Sequence, residues 1–193
     1  MLKYQDLLLE WNEKINLTAI TEEDEVVLKH FVDSMTVLKY VDNGASIVDV
    51  GTGAGFPGIP VSIAKDNVNV TLVDSLNKRI NFLNTVIKEL GLENIETIHG
   101  RAEDFAKQPE YREQFDLCVS RAVANLATLS EYCIPYVEKG GMFVPYKSGE
   151  IDEEVEQSKK AIHVLGGKLD KVIKFQLPGT EIGRSFVKIN KVI

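Results

Sequence analysis

From Ser46 onward, short apolar runs alternate along the chain with longer stretches of helical periodicity. The clearest helical stretch, residues 75–90, begins at Ser75 as a predicted cap and separates two of the apolar runs. Strands that alternate with helices are typical of βαβ units, which build a parallel sheet covered by helices. The five predicted strands occupy residues 46–50, 68–74, 95–100, 115–120 and 141–147.

The last two apolar runs predict a hairpin. Residues 167–177 and 184–192 both have strand-like composition, and only the sequence PGTEIG joins them. A parallel crossover needs about a dozen residues or more, so these two strands must run antiparallel. The sequence therefore predicts an α/β fold with a mostly parallel sheet and one antiparallel strand in a C-terminal hairpin.

The first 45 residues have a different character. Apolar residues recur at helical spacing over residues 2–16 and again over residues 21–40. The chain of 193 residues suits one domain with a small appendage. We interpret residues 1–45 as an N-terminal helical cap that is part of the same globule, and residues 46–193 as the sheet domain.

Composition excludes several classes of protein. With 22 Lys and Arg against 29 Asp and Glu, the net charge of −7 provides no overall basic field for non-specific nucleic-acid binding. No stretch approaches the ~18 apolar residues of a membrane span, and no signal-peptide pattern opens the chain, so we expect a cytoplasmic protein. Cys118 and Cys133 are too few for a disulfide framework and lack metal-ligand spacing, so no metal site is expected.

The loop GTGAGFPG, residues 51–58, directly follows the first predicted strand. A glycine loop between a strand and a helix lets the backbone approach a ligand closely. Asp74 ends the second strand, where a carboxylate can accept hydrogen bonds from the ribose hydroxyls of an adenosine. Two cofactors fit this pattern: a dinucleotide such as NAD, and S-adenosylmethionine.

Three features favour S-adenosylmethionine. Asp49 lies just ahead of Gly51, Gly53 and Gly55, where an acid would repel a pyrophosphate but would orient the loop and the cationic methionine end. The C-terminal hairpin suits a seven-stranded methyltransferase sheet, and no later segment supplies groups for hydride transfer. A nucleotide-dependent oxidoreductase and a purely structural glycine turn remain as alternatives.

The third and fourth predicted strands also end in polar residues. Because ligands of such sheets lie outside the carboxyl ends of the strands, Ala102 and Glu103 are expected to line the adenine. Arg121 ends the fourth strand at the mouth of the same crevice, where we expect it to act in catalysis and in closing the cofactor site. A structural salt bridge from Arg121 to Glu103 or Asp49 is the alternative.

The fourth strand also limits the choice of target atom. It is not followed by the Asn/Asp-Pro-Pro-aromatic turn of enzymes that methylate exocyclic amines, and both cysteines are expected to be inert core thiols. A target with its own lone pair needs neither a base nor a nucleophilic cysteine. Ring N-7 of guanine is such a target, for which proximity and orientation suffice.

Several phrases, in order along nearly the whole chain, resemble the bacterial RsmG/GidB family, the guanine-N-7 methyltransferases of small-subunit ribosomal RNA. They are WNEKINLTAIT, KHFVDS, DVGTGAGFPGIP, DSLNKRINFL, GRAED, SRAVANL and GGMFVPYK. The resemblance implies a class I, Rossmann-like methyltransferase fold that uses S-adenosylmethionine and no metal. It also implies cofactor contacts at Gly51, Phe56, Ala102, Glu103 and Arg121, with Asp74 on the ribose.

The same resemblance implies a partner, 16S ribosomal RNA or a small-subunit particle, and no obligate protein partner. The expected RNA-facing positions of the cap are Asn12, Asn16, His30, Asp33 and Ser34. Outside the cap, Arg101, Lys147 and Arg184 are expected to meet phosphates or the guanine edge. A methyltransferase for a non-RNA substrate and a catalytically silent cofactor-binding assembly protein remain as alternatives.

Overall fold

A computed structural model describes residues 1–193 and contains one seven-stranded sheet. The strands lie in the order β3-β2-β1-β4-β5-β7-β6. Their bounds are β1 Ser46–Val50, β2 Asn69–Asp74, β3 Ile95–His99, β4 Phe115–Arg121, β5 Val137–Lys147, β6 Gly167–Gln176 and β7 Gly183–Lys191. All seven predicted strands are therefore present.

Strands β1 to β5 are parallel, and β7 runs antiparallel to both β5 and β6. This arrangement confirms the predicted fold class and the C-terminal hairpin. It also places the carboxyl ends of the parallel strands together at one end of the sheet. Asp74 of β2, Arg121 of β4 and Lys147 of β5 lie at that end, where α/β folds bind their ligands.

The helices follow the predicted pattern, with local differences. Helix α1 spans Leu2–Ile15 and α5 spans Asn77–Leu90. Helix α5 therefore starts two residues after the predicted cap, and neither Ser75 nor any other side chain caps it. The remaining bounds are α2 Glu23–Val26, α3 Asp33–Met35, α4 Gly58–Ala64, α6 Ala102–Phe105, α7 Leu126–Cys133 and α8 Asp152–Val164. No helix is both long and apolar enough to cross a membrane.

Residues 23–40 form one helical segment of changing pitch. A π-helical stretch, Val27–Val32, joins α2 to α3, and a 3-10 stretch, Thr36–Tyr40, follows. π-Helical turns are rare and are frequent at functional sites. This one carries Lys29 and His30, both of which face the larger cleft described below.

Two apolar clusters hold the helices against the sheet. The first joins the N-terminal helices to the sheet through buried residues such as Tyr4, Leu8 and Phe31. The second lies under α7 and α8 and includes Cys118 and Cys133. Both cysteines are fully buried, and burial raises the pKa of the Cys118 thiol well above its usual range. The N-terminal helices thus share a core with the sheet, while the division at residue 45 stays a prediction.

Candidate active site

The glycine loop after β1 needs glycine at several positions for different reasons. Gly51, Gly53 and Gly55 all have positive φ angles, of 68°, 61° and 98°. A Cβ at Gly51 would lie 2.5 Å from Val123 Cγ2, whereas a Cβ at Gly53 would meet nothing within 4 Å. Gly53 therefore has open space beside it, into which a ligand can approach the backbone.

Asp49, on β1, is fully buried beneath this loop. Its Oδ2 accepts hydrogen bonds from Thr52 Oγ1 at 2.7 Å and from Gly58 N at 2.8 Å. A side chain at Gly58 would crowd that oxygen, because a Cβ there would lie 2.9 Å from it. Oδ1 is the one buried side-chain polar atom without a partner, and burial raises the pKa of Asp49 to about 6. The loop thus encloses an acceptor that lacks a donor.

Asp74, at the end of β2, ties the loop to the next strand. Its Oδ2 accepts a hydrogen bond from Gly53 N at 2.9 Å, and its Oδ1 accepts one from Leu76 N at 2.9 Å. Arg79 Nη1 lies 3.4 Å from the same Oδ2. Each carboxylate oxygen has two lone pairs, so capacity remains for ribose hydroxyls.

A small cleft of about 190 Å³ opens at the ends of β1, β2 and β3. It brings together four predicted cofactor residues, Gly51, Asp74, Ala102 and Glu103. Arg101 also lines this cleft, with its side chain 74% exposed and 3.6 Å from Glu103, so it lies beside the predicted adenine site. Contact of these residues with a cofactor stays a prediction.

A larger cleft of about 610 Å³ adjoins the first at the ends of β4 and β5, and Val123 lines both. It lies between the N-terminal helical segment and the loop after β4. Its charged lining residues are four cations and two carboxylates: Lys29, Arg121, Lys147, Arg184, Asp33 and Glu154. The cleft is locally basic although the chain as a whole is acidic.

Arg121 is fixed by three partners in this larger cleft. Nη1 donates to Lys29 O at 3.1 Å and to Asp33 Oδ2 at 3.0 Å, and Nη2 lies 2.8 Å from His30 Nδ1. The alternative salt bridges to Glu103 and Asp49 were wrong, since the ion pair is with Asp33. The next residue, Ala122, has a positive φ of 57°, which is uncommon for a residue other than glycine.

His30 is a neutral hydrogen-bond acceptor toward Arg121. An arginine has only donors, so His30 Nδ1 must accept, and the ring proton is on Nε2, 2.7 Å from Thr18 Oγ1. Burial, followed by the Arg121 charge, lowers the pKa of His30 to about 4. The imidazole also stacks on Phe56 with 4.4 Å between ring centroids.

The ring of Phe56 lies in the core and not in either cleft. It is 4% exposed, and the Tyr4 ring stacks on it at 5.4 Å. The Arg121 guanidinium lies 5.2 Å from its centroid, and Tyr4 donates from its hydroxyl to Ala54 O at 2.5 Å. The Phe56 ring therefore anchors the loop from behind, and the cofactor contact expected at Phe56 stays a prediction.

A profile of the GidB family, described as rRNA small subunit methyltransferase G, matches residues 1–182. The chain belongs to this family. It is 52% identical over 194 residues to a Clostridium botulinum protein named ribosomal RNA small subunit methyltransferase G, covering 100% of this chain and 81% of that one. A protein of the same name from Desulforamulus reducens is 57% identical over 192 residues, covering 98% and 80%.

A solved structure shows the same fold. The crystal structure of a SAM dependent methyltransferase from Aquifex aeolicus superposes with a TM-score of 0.64 at 18% identity, covering 87% of this chain and 93% of that one. Family membership and fold together confirm the resemblance to RsmG/GidB and identify the chain as a methyltransferase.

Three cap residues that were expected to face RNA make hydrogen bonds within the chain. Asp33 is 1% exposed and Ser34 is fully buried, with its hydroxyl donating to His30 O. Asn12 Oδ1 accepts from Leu17 N at 2.6 Å and from Thr18 N at 2.9 Å, which holds the turn after α1. Ser34 is therefore corrected to a structural position. Asp33 lines the larger cleft and Asn12 is only half-buried, so contact of these two residues with RNA stays a prediction.

The other predicted RNA contacts differ among themselves. Asn16 is exposed in a left-handed conformation at the end of α1, and His30 lines the larger cleft. Arg184 Nε donates to Asp33 Oδ1 at 3.1 Å, so Asp33 joins two arginines. Lys147 Nζ donates to Ala124 O at 2.7 Å. The cations line the cleft, but each is already held by an internal partner.

Three residues of the site were not singled out by the sequence. Tyr4 supports the glycine loop, Val123 separates the two clefts, and Glu154 pairs with Lys147 at 2.6 Å. Tyr4 lies far along the chain from Ala54, and Glu154 lies on a different element from Lys147, so no local pattern marks them. Val123 lies within the SRAV phrase and could have been noticed there.

Proposed function

We propose that this protein transfers a methyl group from S-adenosylmethionine to N-7 of a specific guanine in 16S ribosomal RNA. The observation that carries the proposal is the pair of clefts that adjoin at Val123, one with the features of a cofactor site and one lined by cations. Membership of the small-subunit rRNA methyltransferase family supports the choice of substrate.

The smaller cleft and the loop beside it fit S-adenosylmethionine. Asp49 Oδ1, buried without a partner, suits the cationic methionine end, and the open space beside Gly53 admits a ligand to the backbone. Asp74 would hold the ribose, and Ala102 and Glu103 would line the adenine. When bound, the cofactor supplies an electrophilic methyl group.

The larger cleft suits a nucleophile that needs no deprotonation. His30 Nδ1 accepts from Arg121 and both oxygens of Asp33 accept from arginines, so neither side chain beside Arg121 is free to act as a base. Guanine N-7 has a lone pair that is free at neutral pH, so positioning suffices for transfer. Arg121, fixed in the larger cleft two residues before Val123, is the residue we assign to substrate placement and to closing the cofactor site.

Transfer of tritium from labelled S-adenosylmethionine tests this proposal on three substrates: assembled small subunits, naked 16S RNA, and cell extract free of RNA. Label in one of the RNA substrates, mapped to 7-methylguanosine by reverse transcription, is the expected result. Label only in the RNA-free extract would refute the RNA substrate. Absence of S-adenosylhomocysteine binding in calorimetry would refute the enzyme assignment.

A pair of variants tests the cofactor site separately. Asp74→Ala is expected to weaken S-adenosylhomocysteine binding, because the carboxylate lines the smaller cleft and holds Gly53. Asn16→Ala is the matched control, since Asn16 is exposed at the end of α1 and lies on neither cleft. Equal loss of affinity in both variants would contradict the assignment.

A further inference from the structure

The larger cleft contains a carboxylate with a free oxygen. Of its two acids, Asp33 uses both oxygens to bind arginines. Glu154 accepts from Leu126 N at 2.5 Å and from Lys147 Nζ at 2.6 Å, and both bonds go to Oε1. Glu154 Oε2 has no hydrogen-bond partner. An ionised carboxylate oxygen only accepts, so a ligand group that binds Oε2 must be a hydrogen-bond donor.

Lys147 provides the opposite group beside it. Its ammonium has three donors, of which two are used by Ala124 O and Glu154 Oε1. The side chain is only 13% exposed and forms the end of β5, so its position is well defined. The Lys147–Glu154 pair, which lines the larger cleft, therefore has one unused donor and one unused acceptor.

Guanine offers the complementary pattern on the edge away from N-7. That Watson–Crick edge has the O6 acceptor next to the N1–H and 2-amino donors. Adenine has the reverse order, an amino donor next to an acceptor nitrogen. If N-7 is to face the cofactor, contacts to the base must come from the opposite edge, since a cation bound at N-7 would block the lone pair.

We propose that Lys147 and Glu154 select guanine, Lys147 by donating to O6 and Glu154 Oε2 by accepting from N1–H and the 2-amino group. This inference rests on the proposed function. Register supports the placement, because Tyr146 pairs with Arg121 across β5 and β4, so Lys147 directly follows the residue that pairs with Arg121. Lys147 is thus assigned to the base, and two of the other three cleft cations, Lys29 and Arg184, to phosphates.

Glu154 also caps α7 by accepting from Leu126 N, so the test must separate recognition from folding. Glu154→Gln keeps one oxygen for Leu126 and Lys147 and places an amide donor where the free oxygen was. The matched control is Glu156→Gln on the same helix, which removes an exposed ion pair with Lys159. Thermal unfolding of both variants reports on the fold.

Methyl-transfer kinetics are then measured on 16S RNA, or small subunits containing it, with guanosine or inosine at the mapped target position. Inosine lacks the 2-amino group. For the wild type, kcat/KM is expected to be at least about tenfold lower with inosine than with guanosine, because inosine loses one hydrogen bond to a charged group. For Glu154→Gln, kcat/KM with guanosine falls and the guanosine-to-inosine ratio approaches one, while Glu156→Gln behaves as wild type.

The possible results are distinguishable. A wild type that methylates both substrates equally overturns the inference without any variant. A Glu154→Gln enzyme that is slower but keeps the wild-type ratio shows a structural role for Glu154 and also overturns it. A wild type that places no methyl on RNA, or places it elsewhere than N-7, refutes the proposed function and with it the inference.

Discussion

Replacing Asp49 by asparagine is expected to make the folded protein more stable while it weakens cofactor binding. Asp49 is fully buried, and its Oδ1 has no partner. An asparagine keeps one oxygen to accept from Thr52 and Gly58 and replaces the unpaired oxygen by an amide group. The variant therefore removes a buried charge with little change in shape.

The magnitude follows from the pKa. Burial raises the pKa of Asp49 from 3.8 to about 6. Each pKa unit corresponds to about 1.4 kcal/mol, so ionisation of this buried carboxyl costs the folded protein about 3 kcal/mol at pH 7. An unpaired buried amide costs about 1–3 kcal/mol, but it replaces an oxygen that is already unpaired. We expect Asp49→Asn to gain about 1–3 kcal/mol in the free energy of unfolding at pH 7.

The pH dependence has opposite signs for folding and for cofactor binding. Because the folded pKa is raised, Asp49 contributes stability that is fully present below pH 3.8 and is lost as the pH rises through about 6. The gain of the variant is therefore absent below pH 3.8 and complete above 6. A cationic ligand needs the ionised form, so wild-type affinity falls up to about tenfold per pH unit below 6.

Urea unfolding at a series of pH values measures the first effect, and calorimetry with S-adenosylhomocysteine at pH 7 and pH 5 measures the second. Loss of a charge-assisted hydrogen bond is expected to weaken binding by the variant about 10-fold to 150-fold at pH 7. Asp66→Asn, an exposed acid, is the control. A variant less stable than wild type at pH 7 that binds with unchanged affinity would refute the reasoning.

Three further variants test the supports of the site. Tyr4→Phe leaves Ala54 O unpaired in the core and should lower the free energy of unfolding by about 1–3 kcal/mol in urea titration. An unchanged free energy of unfolding would show that this hydrogen bond does not stabilise the fold. Gly51→Ala should weaken S-adenosylhomocysteine binding, since its Cβ would lie 2.5 Å from Val123; wild-type affinity in calorimetry would contradict this. Asp33→Asn leaves two arginines without their carboxylate and should cost about 3 kcal/mol in thermal unfolding, so a wild-type melting temperature would argue against the ion-pair network.

The sheet could be predicted because its signal is local and repeated. Apolar runs such as residues 46–50 and 115–120 are bounded by polar or glycine residues, and the short PGTEIG connection leaves only the antiparallel hairpin. Helix starts were less predictable. Ser75 has the right side chain for a cap, but α5 starts at Asn77, and the Leu76 N–H is bound by the Asp74 carboxylate.

The cofactor side of the site was more predictable than the RNA side. Residues of the smaller cleft lie at the ends of strands, so knowing the strands places them. The polar residues of the cap lie on helices, where sequence does not distinguish a side chain that faces solvent from one bound internally. Asp33 and Ser34 follow the π-helical stretch Val27–Val32, whose altered pitch changes which residues face inward.

The position of β7 determines when the larger cleft can form. A ribosome makes the chain from the N-terminus, so β5 is complete while its neighbour in the sheet, β7, has not yet been synthesised. Until then β5 has an open side, β6 has no place to pair, and Asp33 lacks Arg184. Formation of the cleft is therefore a late event in folding, and a nascent chain that has not yet reached residue 184 has a glycine loop but no finished place for a substrate.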